Sequence, residues 1–406
     1  MSNAAAKLVD NYLGKREVAE ASTQPEGSKT ETMKALVWQG SKRVACVDKP
    51  KPEITHEKDV IVKVTACSVC SGSDSHLYSG EVVTMDDGFI MGHEACGVVE
   101  SVGPDVKNFK KGDRVVIAFD VACASAIFGY SRLMGNVPGS QAEYVRVPFA
   151  DVNCYAIPDD VPDEKALFVS DVLSTSLHAT ELGEVGEGDT VVIWGLGPIG
   201  LYAAAWSKLK GAKRVLGVDK VPERLELART QFGIEVLDRS SLDRDDVVST
   251  LRGLFPAESV DVVIDATGFR FAETLLHKFE RAVGLETDSP DILTECFSIV
   301  RKFGRVSMIA DYIGYANHFP LGHIMMKHLT LRSGQCPVQK YFKTVMDAVQ
   351  KQQIDPTLMV THRLKLEDVP TAYERLFYKQ EGYIKVLITP SHDKQATDEV
   401  QGGRQP

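Results

Sequence analysis

The sequence of 406 residues predicts an α/β protein with two domains, one a mostly antiparallel β domain and the other a doubly wound parallel sheet. Three observations support this. The chain is longer than a domain with a single hydrophobic core usually is. Short alternating apolar segments run from Met33 to about Glu184, broken by Gly, Pro and Asp, as is typical of antiparallel strands. The middle of the chain then alternates continuous apolar strands with helices, which indicates a parallel sheet covered on both faces.

The predicted β domain begins with segments in which apolar residues alternate or cluster over four to seven positions. Each segment is bounded by Gly, Pro or Asp, which favour turns. The segments are KALVW from Lys34, VIVKVTA from Val60, GVVESVG from Gly97 and RVVIAF from Arg114.

The middle region supplies the strands of the parallel sheet. Between its first two strands, PIGLYAAAWSKLKGA reads as a helix ended by glycine. The predicted strands are VVIWG from Val191, RVLGVD from Arg214, VDVVIDATG from Val260 and GRVSMIA from Gly304. After about Lys340 come an amphipathic helix, YFKTVMDAVQKQ, and two strand-like segments, MVTHRLKL and YIKVLIT.

Composition and charge narrow the class of function. Hydrophobic residues make up 44% and charged residues 25%, as in a soluble globular protein. The formal net charge of −10 disfavours nucleic acid or an anionic membrane as a partner. Eight cysteines without a dense regular pattern fit a reducing compartment. Since no apolar run approaches the roughly 20 residues of a membrane span, and the N-terminus lacks an apolar signal core, we expect a cytoplasmic protein.

Three distant stretches carry residues that zinc prefers. Cys70 follows the strand-like segment from Val60, His93 and Glu94 open the apolar run to Val99, and Asp171 lies in SDVLSTSLH. Thiolate sulfur, imidazole nitrogen and carboxylate oxygen are all zinc ligands, and a catalytic zinc keeps three protein ligands with one open position. The residues therefore predict one catalytic zinc per chain, bound by Cys70, His93 and Asp171.

A glycine-rich turn, GLGPIG, follows one predicted strand and opens a helix. Gly195 permits the turn, Gly197 lets the backbone approach a pyrophosphate, and Gly200 allows close helix packing. Asp219 ends the next strand, where a carboxylate bonds the ribose hydroxyls of NAD and repels the extra phosphate of NADP. We therefore expect NAD as the cofactor. The predicted contacts in this region are Gly195, Gly197, Pro198, Ile199, Gly200, Asp219 and Arg224.

Taken together, these motifs resemble the zinc-dependent medium-chain alcohol dehydrogenases. The shared marks are the Cys-Ser-Asp-x-His stretch ending at His76, GHE from Gly92, GDRV from Gly112 and GLGPIG. Within that superfamily the chain is most similar to the glutathione-independent formaldehyde dehydrogenases, through AEYVRVPFAD, SDVLSTSLH and GQCPVQKY. The resemblance covers roughly Met33 to Pro390.

The resemblance implies a GroES-like catalytic domain over 33–184 and 341–390 and a Rossmann NAD-binding domain over 185–340. Residues 1–32 and 391–406 are expected to be a mobile extension and a mobile tail. The family is usually dimeric or tetrameric, so we expect a homodimer or homotetramer. Its substrates are small alcohols or carbonyl compounds. The formaldehyde dehydrogenase branch has aspartate as the third zinc ligand, which Asp171 matches.

The resemblance also suggests roles for other residues. Ser73 would accept the proton of the alcohol and His76 would pass it to solvent. Glu94 would orient the site or act as a transient fourth ligand, and the alternative is a strand-edge salt bridge. Thr175, on the helical face of Asp171, would support the nicotinamide ring. The remaining expected cofactor contacts are Gly72, Thr267, Gly334 and Cys336.

Two departures from the family stand out. Asp74 lies four positions after Cys70, one more than is usual in the family. The directions in which the side chains of Ser73 and His76 point are therefore not determined, and Cys67 is the alternative ligand. We favour Cys70, because VKVTACSVC aligns with the family without a gap. Between Gly112 and Asp160 the chain has only two cysteines, Cys123 and Cys154, so we expect no structural zinc.

Two other functions stay open at this point. A zinc-free NAD(P)H-dependent reductase of activated C=C bonds is compatible with the extra residue after Cys70, although the ligand set argues against it. A non-catalytic NAD-binding protein is possible because folds are reused. Metal analysis separates both from a zinc- and NAD-dependent alcohol dehydrogenase or carbonyl reductase.

Overall fold

A computed structural model of the chain describes residues 27–392, except 81, 83–84, 122–125, 257–258, 269–271, 273, 284 and 313. The predicted mobile tail beyond His392 and most of the predicted extension lie outside the described residues. The remainder of the extension is not detached, because the Ser28 amide donates to the carbonyl of Lys51 and the first strand begins at Thr32.

The first half of the chain forms an antiparallel hairpin and a larger sheet. The hairpin pairs β1 (Thr32–Trp38) with β2 (Val44–Pro50). The larger sheet contains β3 (Val60–Val69), β4 (Glu94–Val102), β5 (Arg114–Ile117), β8 (Tyr144–Val147), β9 (Cys154–Ala156), β16 (Val360–Lys365) and β17 (Lys385–Thr389). Its order is β16-β17-β3-β4-β5-β9, with β8 beside β3, and a short pair β6 (Asp120–Val121) and β7 (Ala126–Ile127) lies apart.

The C-terminal strands return to this first sheet. β17 pairs antiparallel with β3, so that Val386 is opposite Val69 and Ile388 is opposite Cys67. This pairing brings the last strand beside the strand that leads to Cys70.

The middle of the chain forms a six-stranded parallel sheet. Its strands are β10 (Thr190–Trp194), β11 (Arg214–Asp219), β12 (Glu235–Asp238), β13 (Val262–Asp265), β14 (Arg305–Met308) and β15 (Thr330–Ser333). The order β12-β11-β10-β13-β14-β15 reverses direction at β10, and such a switch point is where open α/β sheets bind ligands, at the carboxyl ends of the strands. The predicted fold class, a GroES-like β domain with a Rossmann sheet, is confirmed.

Twelve α-helices connect and cover the sheets in the part of the chain that is described. They are α1 (Ser73–Ser79), α2 (Ala150–Asn153), α3 (Asp163–Ala166), α4 (Val172–Leu182), α5 (Pro198–Leu209), α6 (Pro222–Thr230), α7 (Arg244–Leu254), α8 (Leu275–Ala282), α9 (Asp291–Ile299), α10 (Leu321–Lys327), α11 (Val338–Gln350) and α12 (Val369–Tyr378). Short 3-10 turns cover Arg132–Met134, Leu167–Val169, Pro356–Met359 and Leu366–Asp368. None of the described helices is long and apolar enough to cross a membrane.

Helix α4 connects the two sheets. Its buried residues Leu173 and Leu177 belong to the hydrophobic core that contains residues of both β3 and β10. The indole of Trp206 on α5 donates to the carbonyl of Leu173 at 3.0 Å. Because α4 is packed and hydrogen-bonded in this way, the residue at its N-terminus, Asp171, is held firmly against the first sheet.

Candidate metal and cofactor site

Four possible metal ligands converge where β3 ends, β4 begins and α4 begins. Donor atoms of Cys70, His93, Glu94 and Asp171 all lie within 4.8 Å of one another. Three of the four residues are buried, and Cys70 is partly buried. The alternative ligand Cys67 is fully buried in β3, outside this group.

His93 is held between two carboxylates. Its Nδ1 lies 3.3 Å from Oδ1 of Asp74, and its Nε2 lies 3.5 Å from Oδ2 of Asp171. Burial disfavours a charged ring, but Asp74, Asp171 and the neighbouring Cys70 together raise the pKa of His93 well above its ordinary value. Such a pair of carboxylates attracts positive charge to the ring, whether this is a proton or a metal ion at Nε2.

Asp74 is itself fixed from two sides. The amide of Cys70 donates to its Oδ2 at 3.0 Å, and Nε2 of Gln141 donates to the same oxygen at 3.0 Å. The hydroxyl of Tyr373 in turn donates to Oε1 of Gln141 at 2.7 Å. These hydrogen bonds fix Asp74, whose Oδ1 faces Nδ1 of His93 at 3.3 Å, so that Nε2 of the ring is turned to Asp171.

Asp171 occupies the N-cap position of α4, but its side chain makes no capping hydrogen bond. Instead, Oδ1 accepts a hydrogen bond from the Thr175 hydroxyl at 2.6 Å, and Oδ2 faces His93. Burial would raise the pKa of Asp171, yet His93, Thr175 and Lys385 lower it overall. The carboxylate is therefore held ionised and aimed at the cluster, as a metal ligand must be.

Of the two carboxylate oxygens of Glu94, one has a hydrogen-bond partner and the other has none among the described residues. Its Oε1 accepts from Nζ of Lys385 at 2.6 Å, and both side chains are 1% exposed. Its Oε2 is buried without a hydrogen-bond partner. Burial raises the pKa of Glu94 although Lys385 opposes the shift. An orphaned carboxylate oxygen beside three other donors is suited to orienting a metal ligand or to binding the metal itself.

The donor set fits zinc. It offers one sulfur, one imidazole nitrogen and a carboxylate, with a second carboxylate nearby, and this is the chemistry of a tetrahedral catalytic zinc with one open position. Cys154 is buried in β9, and Cys123 lies outside the described residues, so the predicted lack of a structural zinc stays a prediction.

The two expected relay residues lie on α1, directly after Cys70. Ser73 is the first residue of this helix, and His76 lies three positions later on the same face. Gly72 precedes the helix, and a Cβ atom at this position would lie 3.8 Å from Sγ of Cys70. The extra residue therefore lies in the short turn, Ser71 and Gly72, between ligand and helix.

The glycine-rich turn adopts the geometry expected for a dinucleotide. Gly195 has φ +86°, a left-handed conformation that favours glycine. Gly197 caps α5, and Pro198 begins it. A Cβ atom at Gly200 would lie 1.8 Å from the carbonyl oxygen of Gly195, so the strand and helix can approach only without a side chain there.

Asp219 closes the other side of this turn. Its Oδ2 accepts from the amide of Leu196 at 2.6 Å, and its Oδ1 accepts from the amides of Lys220 and Val221 at 2.6 and 2.9 Å. Arg224 lies 3.8 Å from the same carboxylate. The carboxylate is thus fixed at the carboxyl end of β11, beside the turn.

The other expected cofactor contacts do not share one structural element. The hydroxyl and amide of Thr267 both donate to Asp265 at the end of β13. Gly334 follows β15 with φ +155°. Cys336 is 1% exposed, and burial raises the pKa of its thiol well above the ordinary value. Ile199 is partly buried at the start of α5.

Four residues near the site were not predicted from the sequence. Asp74 and Gln141 orient His93, and Lys385 pairs with Glu94. Asp311 follows β14, and burial together with Asp288 raises its pKa to about 6. A lysine inside the apolar segment YIKVLIT was a usable signal, because a buried lysine requires a partner. Gln141 carried no signal.

Comparison with known proteins follows the same division of the chain. The family model described as an alcohol dehydrogenase GroES-like domain matches residues 56–159. The family model described as a zinc-binding dehydrogenase matches residues 198–285. The first match contains three of the four ligand candidates, Cys70, His93 and Glu94, and the second contains strands β11, β12 and β13 of the parallel sheet.

Relatives match over nearly the whole chain. A zinc-type alcohol dehydrogenase-like protein of Schizosaccharomyces pombe is 53% identical, covering 95% of this chain and 98% of that protein. A glutathione-independent formaldehyde dehydrogenase of Pseudomonas aeruginosa is 31% identical, covering 84% of this chain and 94% of that protein. The solved structure of the alcohol dehydrogenase TADH from Thermus sp. ATN1 is 31% identical in sequence, with a TM-score of 0.77. The match covers 88% of this chain and 100% of the TADH chain.

Proposed function

The chain belongs to the zinc-dependent medium-chain alcohol dehydrogenase family, and from this premise we propose that it transfers hydride between NAD(H) and a small alcohol, aldehyde or ketone. The observation that carries the proposal is the convergence of Cys70, His93, Glu94 and Asp171 within 4.8 Å. A zinc-free C=C reductase or a non-catalytic NAD-binding protein would have no use for this donor set. The match to zinc-type relatives along the whole chain likewise favours the alcohol dehydrogenase.

We propose Cys70, His93 and Asp171 as ligands of one catalytic zinc ion. Bound zinc would supply a Lewis acid that polarises the substrate oxygen. The chain's own contribution is to hold the ligands: Asp74 fixes the His93 ring, and Thr175 fixes the Asp171 carboxylate. Lys385 holds Glu94 beside them.

Ser73 and His76 form the proposed proton route. The Ser73 hydroxyl would accept the proton of the alcohol as it gives up its own, and the His76 imidazole would take the released proton and pass it to solvent. Their three-residue spacing on α1 puts both side chains on one face of the helix, and both are partly exposed.

Bound NAD would accept the hydride at its nicotinamide ring. The backbone of Gly195, Gly197 and Gly200 leaves room for the pyrophosphate at the start of α5. We further propose that the enzyme works as a homodimer or homotetramer in the cytoplasm.

The decisive experiment combines metal analysis with a substrate screen. The purified wild type should contain zinc and turn over at least one alcohol with NAD or one carbonyl compound with NADH. Cys70→Ala should lose the catalytic zinc and the activity, and His76→Ala should keep the zinc but lower kcat. Cys67→Ala is the matched control and should retain both. A wild type without zinc, or a Cys67→Ala variant that alone loses it, would contradict the assignment of ligands.

The preference for NAD is tested at Asp219. Asp219→Ser should raise kcat/KM with NADP(H) relative to NAD(H) at least tenfold, roughly 1.4 kcal/mol, because the carboxylate that repels the additional phosphate is gone. Asp238→Ser, at the end of the neighbouring strand β12, is the control and should leave the ratio unchanged. A wild type that already used NADPH as well as NADH would refute the NAD assignment.

A further inference from the structure

We propose that the chain binds a second divalent metal ion of the zinc class in the His277 cluster, which consists of His277, Glu280 and Glu286. Each of these residues offers a ligand atom within 4.8 Å of the others. The cluster lies in the segment between β13 and α9 and shares no residue with the proposed catalytic zinc site.

Three chain segments bring the cluster together. His277 and Glu280 lie three residues apart on α8, which places them on one face of the helix. Glu286 follows the helix, and its two carboxylate oxygens lie 2.8 and 2.9 Å from Nδ1 of His277. On the other side of the ring, Oδ1 of Asp291 lies 3.9 Å from Nε2. Imidazole nitrogen with carboxylate oxygens is a ligand set for zinc and related divalent ions.

The charge of the cluster calls for a cation. His277, Glu286 and Asp291 are 6%, 3% and 1% exposed, so their charges are shielded from water. Among the described residues, Glu280 forms an ion pair with His318 and Glu286 forms one with His277. Buried carboxylates must be paired or bound to metal. A divalent ion bound by His277, Glu280 and Glu286 would be such a partner.

A second layer of hydrogen bonds orients the two glutamates. The side-chain nitrogen of Asn317 donates to Oε2 of Glu280 at 3.1 Å, and its amide donates to Oε2 of Glu286 at 3.2 Å. Nε2 of His318 lies 3.1 Å from Oε1 of Glu280. Carboxylate ligands held in this way are typical of metal sites in proteins.

Helix α8 gives an independent reason to expect a cross-link here. Its apolar residues face outward: Leu275 and Phe279 are 85% and 61% exposed, and Val283, directly after the helix, is 52% exposed. Within α8, all of whose residues are described, His277 alone is buried. A helix usually attaches through its apolar stripe, but α8 attaches through its polar face. A metal ion shared by His277, Glu280 and Glu286 would hold α8 to the chain that follows it.

The competing explanation is an ion pair without metal, in which a protonated His277 binds Glu286. The two explanations differ in metal content. The test uses the full-length protein, loaded with Zn²⁺, passed through a desalting column and analysed for metal by mass spectrometry. We expect two zinc ions per chain in the wild type and one in His277→Ala/Glu286→Gln.

Three further variants complete the design. His362→Ala/Glu381→Gln, which changes a histidine and a glutamate outside both sites, should keep two ions. Cys70→Ala should also lose one ion, from the other site. Glu280→Gln, a milder change that preserves shape, should weaken binding of the second Zn²⁺ at least tenfold in a chelator competition, and this variant decides the matter if the double variant does not fold.

One result would overturn the proposal: a wild type with a single ion that Cys70→Ala loses and that both His277→Ala/Glu286→Gln and Glu280→Gln retain. Failure of the proposed function gives a different pattern, in which Cys70→Ala loses no ion while the His277 variants do.

Discussion

At the scale of single residues, Lys385 is the clearest case of one side chain stabilising another. Its Nζ lies 2.6 Å from Glu94 in a buried pair joined across 291 positions of sequence. Lys385→Met should lower the free energy of unfolding of the metal-free protein by about 3–5 kcal/mol, because it leaves Glu94 buried without a counter-charge. Denaturant titration followed by circular dichroism measures the loss.

Two variants serve as controls for Lys385→Met. Lys343→Met removes an exposed pair with Asp347 and should change stability by about 0.5 kcal/mol or less. Adding Glu94→Gln to Lys385→Met should recover much of the loss, since the buried charge is then gone. Equal stability of the single and double variants would show that the pair is not the cause.

The raised pKa of Asp311 predicts that the free energy of unfolding depends on pH. Burial and Asp288 raise its pKa from 3.8 to about 6, so between these pH values the folded state holds a proton that the unfolded state releases. This stabilisation is present near pH 4 and is lost as the pH rises through 6. In metal-free protein, Asp311→Asn should therefore be more stable than wild type at pH 7, by about 1–3 kcal/mol, with little difference near pH 4.

The measurement for Asp311 is a series of urea titrations from pH 4 to pH 8. Metal-free protein is used because a bound cation would favour the ionised carboxylate. Asp105→Asn, at an exposed position, is the control and should show no such trend. A stability difference at Asp311 that is constant across this range would contradict the assignment.

At the scale of elements, the approach of β10 to α5 depends on Gly200. Gly200→Ala places a methyl group 1.8 Å from the carbonyl oxygen of Gly195, so the turn must open. We expect NADH binding to weaken at least tenfold and stability to fall by about 1–3 kcal/mol. Titration with NADH fluorescence and denaturant unfolding measure the two effects.

The matched control is Gly253→Ala on α7, where an added Cβ has no neighbour within 4 Å. This substitution should stabilise the protein by about 0.5–1 kcal/mol, because alanine favours helix more than glycine does. If the two variants had similar NADH affinity and similar free energies of unfolding, close packing at Gly200 would be unimportant.

At the scale of the whole molecule, an exposed apolar surface lies beside the edge of the parallel sheet. Leu321, Met325 and Met326 on α10 are 69%, 80% and 78% exposed, and β15 is the last strand of the sheet. Edge strands and apolar patches of this kind are typical of contacts between copies. We expect Met325→Glu/Met326→Glu to convert the proposed homo-oligomer to monomers, whereas Leu209→Glu, on α5, should not. Light scattering after size exclusion measures the mass, and an unchanged mass in the methionine variant would exclude this surface.

Much of the fold followed from local patterns. RVLGVD coincides with β11 from Arg214 to Asp219, because a continuous apolar run bounded by polar residues leaves few alternatives. VDVVIDATG overestimates β13, which covers only Val262–Asp265, because strand ends depend on pairing with β10 and β14. Asp171 occupies the N-cap position of α4, yet its carboxylate faces Thr175 and His93 instead of capping the helix.

The residues of the candidate site could be predicted from the sequence only where they belong to short motifs of metal-binding or cofactor-binding residue types. Cys70, His93, Glu94, Asp171 and the glycine-rich turn stand out by residue type and spacing. Asp74, Gln141 and Lys385 support the site from distant positions, and no local pattern connects them with His93 or Glu94. The His277 cluster was also missed: its residues come from α8 and the following loop, and Asn317, which orients Glu286, comes from the loop before α10.

The sequence by itself determined the fold class, the glycine-rich turn and the set of possible zinc ligands, because periodicity and short motifs are local properties. Only the tertiary structure decided which side chains meet: it brings the four ligand candidates within 4.8 Å, pairs Lys385 with Glu94 and turns the polar face of α8 inward. These contacts join residues far apart in the chain, so they depend on how the sheets and helices pack.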